Sequence, residues 1–163
     1  MTKEEILKLG LGIHKVNVEE TLDVLFELDN KMARATPELL PLESPKELLN
    51  FLIKDHQTDN YLMNDNEGHI VGYLSVLDFD ETSLEVLNLG TDPDFQGKGY
   101  GRTMMNFAEK LAKERGKVKV RLVTNVKNSK AIGFYKAIGY TIVKEAENYY
   151  GDGETRYIFE KSL

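Results

Sequence analysis

Between residues 89 and 102 the chain reads Leu-Gly-Thr-Asp-Pro-Asp-Phe-Gln-Gly-Lys-Gly-Tyr-Gly-Arg, with an extended apolar run before it and an amphipathic run after it. Gly97, Gly99 and Gly101 fall at every second position. Glycine lets successive backbone N–H groups turn inward with no Cβ in the way, and the helix that must follow adds first-turn amides that lack intrahelical partners. An anion, most simply a pyrophosphate, is the natural occupant of such a cradle. An ordinary strand-to-helix turn has the same composition, so the loop alone leaves both readings open.

The flanking segments restrict the fold further. Residues 84–89 read as a strand. Met104, Phe107, Ala108, Leu111 and Ala112 then mark one helical face that ends at Arg115-Gly116, and Val118, Val120, Leu122 and Thr124 alternate as another strand. Strand, loop, helix, strand is a crossover unit, which predicts that the strands ending at Leu89 and Thr124 are parallel neighbours.

Upstream, a short helix over residues 3–9 and a strand over 11–16 precede a helix over 18–34, opened by Asn17 and Glu20 and striped by Leu22, Leu25, Leu28 and Met32, with Phe26 beside them. Pro37 and Pro41 make residues 35–44 a loop, and Ser44-Pro45-Lys46-Glu47 opens a helix whose stripe is Leu48, Leu49, Leu52 and Ile53. Residues 61–63, 70–77 and 84–89, separated by turns, predict three antiparallel strands, and Gly90 marks a bulge or a close approach to the backbone. Downstream, Asn128 caps a helix that ends at Gly139, and residues 140–144 and 156–160 are two closing strands around Gly151-Asp152-Gly153. The fold class expected is α+β, in one domain over residues 1–163.

With 163 residues and 41% hydrophobic content the chain suffices for one core. A net charge of −6 and a pI near 5.2 argue against nonspecific nucleic-acid binding. A phosphate ligand must then be held locally, by backbone donors together with Lys98, Arg102, Lys127 and Lys130. Cysteine is absent, which excludes disulfides, thiolate metal sites and a cysteine nucleophile. No apolar run reaches about 18 residues and the start Met-Thr-Lys-Glu-Glu is acidic, so the chain is read as soluble, unexported and cytoplasmic, with no membrane partner. His14, His56 and His69 fall on unrelated elements and are read as surface or structural, with no metal site.

The G-x-G-x-G spacing fits neither the dinucleotide fingerprint nor the P-loop. Gln96-Gly97-Lys98-Gly99-Tyr100-Gly101 does match Q/R-x-x-G-x-G/A, and Asn128, Ala131, Tyr135, Gly139 and Tyr140 match N-x-x-A-x-x-x-Y-x-x-x-G-F/Y. Two such motifs in this order resemble the GNAT superfamily of acetyl-CoA-dependent N-acetyltransferases. The resemblance implies a mixed, mostly antiparallel seven-stranded sheet flanked by about four helices, in which two parallel strands splay apart and admit the pantetheine arm. It implies cofactor-binding roles for Leu89, Gly90, Thr91, Gln96, Gly97, Lys98, Gly99, Tyr100, Gly101, Arg102 and Asn128. The backbone of Leu89 and Thr91 would hold the arm, and the amides of residues 97–102 the pyrophosphate.

Acyl transfer to an amine needs a neutral amine and a stabilised leaving thiolate. A free lysine amine at pH 7 is about 3.4 pH units from neutrality, roughly 4.6 kcal/mol, which makes a general base worth having. Glu85 stands four residues before Leu89, the position of the catalytic glutamate in the histone acetyltransferase branch. The ribosomal-protein Nα-acetyltransferase branch carries its base five residues before the motif Asn, where this chain has Val123. A solvated strand residue is the plain alternative for Glu85, as a core aromatic is for Tyr135, the implied general acid. Without cysteine, direct transfer in a ternary complex is the simplest mechanism. The implied partners are acetyl-CoA and an amine acceptor, with a homodimer left open.

The acceptor is shaped in this family by the first two helices with their loop and by the last hairpin. Here those stretches offer Glu38, Glu43, Glu145, Glu147, Asp152 and Glu154, which suit a cationic amine or simply keep the surface solvated. A non-catalytic acyl-CoA-binding module is the alternative function.

Overall fold

The computed structural model describes residues 11–35 and 58–163. The helices expected over residues 3–9 and after Ser44, and the loop between residues 35 and 44, lie outside the described residues.

The chain divides into two compact units, Met1–Leu77 with Asn88–Met105, and Asp78–Leu87 with Asn106–Leu163. In the first, β1 (Gly12–Val16) pairs antiparallel with β2 (Thr58–Asn64), which pairs antiparallel with β3 (Ile70–Asp78). Helix α1 (Val18–Ala35) buries Val24, Leu25 and Leu28, a spacing that places them on one helical face. β2 and β3 are buried through Tyr61, Leu62, Met63, Val71, Tyr73, Leu74 and Val76, the continuous apolar pattern of strands covered on both faces.

Strand β4 (Ser83–Thr91) passes from the second unit into the first, and helix α2 (Tyr100–Glu114) passes back. In the second unit follow β5 (Lys119–Asn125), α3 (Ser129–Ala137), β6 (Thr141–Ala146) and β7 (Arg156–Ser162), around a core of Leu84, Val86, Val120, Leu122, Tyr140, Ile158 and Phe159. The hydrogen-bonded order β1-β2-β3-β4-β5-β7-β6 makes a seven-stranded mixed sheet, as expected. β4 and β5 are the parallel pair, registered from Ser83↔Lys119 to Val86↔Leu122. That ladder ends there, although β4 continues to Thr91 and β5 to Asn125. The described residues contain three α-helices, and none is long and apolar enough to cross a membrane.

Both helix ends foreseen at glycine occur, with Gly116 at φ +72° and Gly139 at φ +95°. One turn of 3-10 helix at Pro93–Phe95 was not foreseen; Asp92 caps it by accepting the Asp94 N–H at 2.9 Å. At Gly90 the expected close approach is made by side chains of the protein itself. A methyl group there would overlap the Met32 thioether and the Tyr73 ring. A Cβ on Gly72 would stand 2.6 Å from the Gly90 carbonyl oxygen and 2.6 Å from Met104 Cε, so the two glycines let neighbouring elements pack at backbone distance. Gly72→Ala is expected to destabilise the protein by about 1–3 kcal/mol through overpacking, measured as a lowered urea midpoint at unchanged slope.

Candidate active site

The cradle foreseen from the glycines is a continuous strand, turn and helix start within the first unit. β4 ends at Thr91, the 3-10 turn follows, and Gln96 Nε2 donates back to the Thr91 carbonyl at 3.3 Å, closing the loop. Gly97 and Gly99 take φ of +78° and +86°, conformations costly for any residue with a Cβ. No atom lies within 4 Å of where a Cβ would stand on either, so both look into open space. Thr103 N–H and Oγ1 both donate to the Gly99 carbonyl, at 3.0 and 3.1 Å, which starts α2. The N–H groups of Tyr100, Gly101 and Arg102 come before Thr103, whose N–H makes the bond to Gly99 that starts the helix, and as first-turn amides they have no intrahelical acceptor. Lys98 is exposed, its Nζ 5.2 Å from the Phe95 ring centroid, and Arg102 is exposed too.

Two carboxylates stand immediately before this anion-seeking loop, and helix α1 neutralises both. Lys31 Nζ lies 2.7 Å from Asp92 and 2.5 Å from Asp94, and these hydrogen bonds, Asp92 first, hold its ammonium above the ordinary lysine pKa. The Asp92 N–H donates to the Val71 carbonyl at 2.8 Å, so the loop is tied to β3 and α1 together.

Glu85, Asn128 and Tyr135 belong to the second unit. Glu85 sits opposite Arg121 in the parallel register and accepts from its Nη1 at 2.8 Å, with both side chains buried. Burial raises the Glu85 pKa above the ordinary carboxylate value, against the pull of Arg121. The Arg121 guanidinium in turn stacks 3.8 Å from the Phe79 ring centroid. The solvated alternative for Glu85 is thereby removed. Tyr150 is half exposed, and the partial burial of its phenol, followed by the charge of Glu85, pushes it up to about 12.

Asn128 caps α3, its Oδ1 accepting the Ala131 N–H at 3.1 Å. Tyr135 is buried among Phe134, Tyr140 and Phe159, with ring centroids 5.2, 6.1 and 5.7 Å away, and burial raises its phenol pKa. Of the other expected phosphate cations, Lys127 is instead ion-paired with Glu154 at 2.9 Å. His69 is brought to Asp65 at 3.0 Å, where Asp65 also accepts the Glu67 and His69 N–H groups and locks the turn after β2.

Sequence reasoning missed Lys31 and Arg121. Arg121 occupies the polar phase of the alternation from Val118 to Thr124, but only the parallel register reveals its partner. Lys31 carries no local signal, because its two carboxylates lie more than 60 residues away in sequence.

Comparison with known proteins settles the family. The family model for the Acetyltransferase (GNAT) family matches residues 25–140. The chain belongs to the GNAT acetyltransferase family. Among curated GNAT relatives, an N-alpha-acetyltransferase RimI of Mycobacterium tuberculosis is 32% identical over 95 residues, covering 56% of this chain and 58% of that one. A [ribosomal protein bS18]-alanine N-acetyltransferase of Salmonella typhimurium is 34% identical over 71 residues, covering 44% and 47%. The chain thus spans about half the length of these curated relatives. Among solved structures, a GNAT family acetyltransferase from Elizabethkingia anophelis with acetyl-CoA bound shares the fold, with TM-score 0.73, 18% identity and coverage of 96% and 100%.

The hairpin after β6 shows how far its acidity is already spent. Asp152 accepts from Arg156 Nη2 at 2.5 Å and from the Glu154 N–H at 3.0 Å. The Glu154 N–H first, and the Arg156 guanidinium after it, hold the Asp152 carboxyl below its ordinary value of 3.8, outweighing burial. A depressed carboxyl stabilises the fold above that ordinary value and loses its contribution as pH falls through the folded-state pKa. Asp152→Asn is therefore expected to cost about 1 kcal/mol or less at pH 7. The gap between variant and parent in thermal midpoint should close below pH 3.8, as scanning calorimetry across pH would show.

Proposed function

We propose that this protein is an acetyl-CoA-dependent N-acetyltransferase, cytoplasmic, that moves an acetyl group from the thioester to a primary amine of a small molecule, peptide or protein. Transfer is direct, within a ternary complex. The observation that carries the reading is the cradle: two left-handed glycines open to space, followed by helix amides with donors to give. Family membership and relatives named as N-acetyltransferases support it.

In this reading the backbone of Leu89 and Thr91, with Gly90 between them, takes the acyl arm. Gln96, Gly97, Lys98, Gly99, Tyr100, Gly101 and Arg102 form the pyrophosphate seat, and Lys31 removes the repulsion that Asp92 and Asp94 would exert on it. Asn128 contacts the coenzyme through the amide nitrogen that its capping role leaves over. Glu85 takes a proton from the acceptor ammonium; its raised pKa makes it a stronger base than a solvated glutamate, while Arg121 fixes the carboxylate. The amine nitrogen then bonds to the acetyl carbon, the carbon–sulfur bond breaks, and the proton that the nitrogen sheds on becoming an amide ends on sulfur, giving the free CoA thiol. Tyr135, its phenol less acidic through burial, donates a hydrogen bond to the leaving sulfur more readily than a full proton.

One observation favours the second reading, a non-catalytic acyl-CoA-binding module: Glu85 is already engaged in a buried ion pair. Release of free CoA from acetyl-CoA over a panel of amines separates the two, because binding without turnover on any amine supports the module. Gly99→Val places a β-branched residue at φ +86° with no neighbour to clash, so the fold should survive while acetyl-CoA affinity in calorimetry falls on the order of tenfold or more. Unchanged affinity in that folded variant would sink the cradle assignment. Glu85→Gln should lower kcat/KM by ~10²–10⁴ near pH 7, with the deficit shrinking at high pH where the amine is neutral unaided. A loss independent of pH, with a lowered thermal midpoint, would make Glu85 structural.

A further inference from the structure

Phe79 is a large apolar side chain, 47% exposed, in the turn between β3 and β4, yet its ring is engaged. The Arg121 guanidinium carbon lies 3.8 Å from the ring centroid, within the range of a cation–π contact. The turn that carries the ring is fixed from two directions. Asp80 Oδ1 accepts the Thr82 N–H at 2.8 Å, the Ser83 N–H at 2.7 Å and the Thr82 hydroxyl at 2.9 Å, while the Phe79 N–H donates to the Ser83 carbonyl at 3.1 Å. From the segment leading into β5, Lys117 Nζ donates to the Asp80 carbonyl at 2.6 Å and the Val118 N–H to the Thr82 carbonyl at 2.9 Å.

A fixed ring matters because Arg121 has a choice of partner. In the two strand registers it stands opposite Glu85 of β4 on one side and opposite Glu160 of β7 on the other. A long side chain with several N–H donors can turn to either neighbouring strand. Glu160 is held by Lys119 at 3.1 Å, and Arg121 turns to Glu85 at 2.8 Å. A guanidinium that swung between the two carboxylates would leave Glu85 held only part of the time. A planar ring against the guanidinium selects one orientation and shields it from water. Phe79, Glu85, Arg121 and Glu160 all belong to the second unit.

We propose that Phe79 is a positioning residue for acetyl transfer: its ring holds the Arg121 guanidinium on Glu85, and Arg121 in turn holds the carboxylate that takes the proton from the acceptor. The proposal rests on the general-base reading of Glu85 above.

The test is a double-mutant cycle in the full chain, with kcat and KM measured by CoA release on the best amine of the panel. Phe79→Ala is expected to lower kcat about tenfold, with the KM for acetyl-CoA unchanged. Because the side chain is half exposed, the thermal midpoint should move little. Phe79→Tyr keeps the aromatic face and should bring kcat back to within about twofold of the parent. In a Glu85→Gln background no base remains to be positioned, so adding Phe79→Ala should lower kcat by less than about twofold. An equal loss in both backgrounds would show that Phe79 acts elsewhere and overturn the proposal, as would a parental kcat in Phe79→Ala or a failure of tyrosine to restore it. A parent that releases CoA with no amine defeats the acetyltransferase reading, and a Glu85→Gln variant as fast as the parent defeats the general base; the role of Phe79 falls with either.

Discussion

The structure turns on the geometry of one crossover. A strand that pairs in parallel with its successor cannot return by a tight turn, so the chain must leave β4, form a helix and come back as β5. At the point of departure the backbone reverses through Gly97 and Gly99 with φ above zero, which only glycine adopts at little cost. The reversal and the helix start together aim several amides at one open place. The loop proposed as an anion cradle is thus a by-product of the same connection that builds the parallel pair. Lys31 reaches across from α1 to cancel Asp92 and Asp94, which would otherwise make the approach electronegative.

A second constraint acts through burial. Placing Glu85 and Arg121 opposite each other on adjacent buried strands removes both charges from water, a cost of several kcal/mol per ion that their mutual bond offsets in part. The imbalance appears as a raised carboxyl pKa despite the neighbouring guanidinium. The same desolvation that makes the pair expensive makes Glu85 more basic, which is what the proposed role as general base would use. Burial acts on Tyr135 in the same direction and keeps its phenol protonated.

Much of this was legible in the order of residues. Periodicity located every described strand and α-helix, and glycine and asparagine located their ends, because these signals depend on backbone geometry within a few residues. The two motifs, read together, named the family that the family model matches. The 3-10 turn escaped because Asp-Pro-Asp reads equally well as an ordinary turn. The acidic character of the last hairpin could be counted but not its partners, and Arg156 and Lys127 engage two of its carboxylates, Asp152 and Glu154.

The sequence by itself therefore determined the elements, the crossover and the position of the glycine cradle, all of which follow from local stereochemistry. Only the tertiary structure decided that Glu85 faces Arg121 instead of water, that Lys31 guards the cradle, and that the Phe79 ring lies against the Arg121 guanidinium. Each joins residues 36 or more positions apart, and no local rule of propensity or spacing carries information over that distance. Strand register and close packing supply it, once the chain has folded.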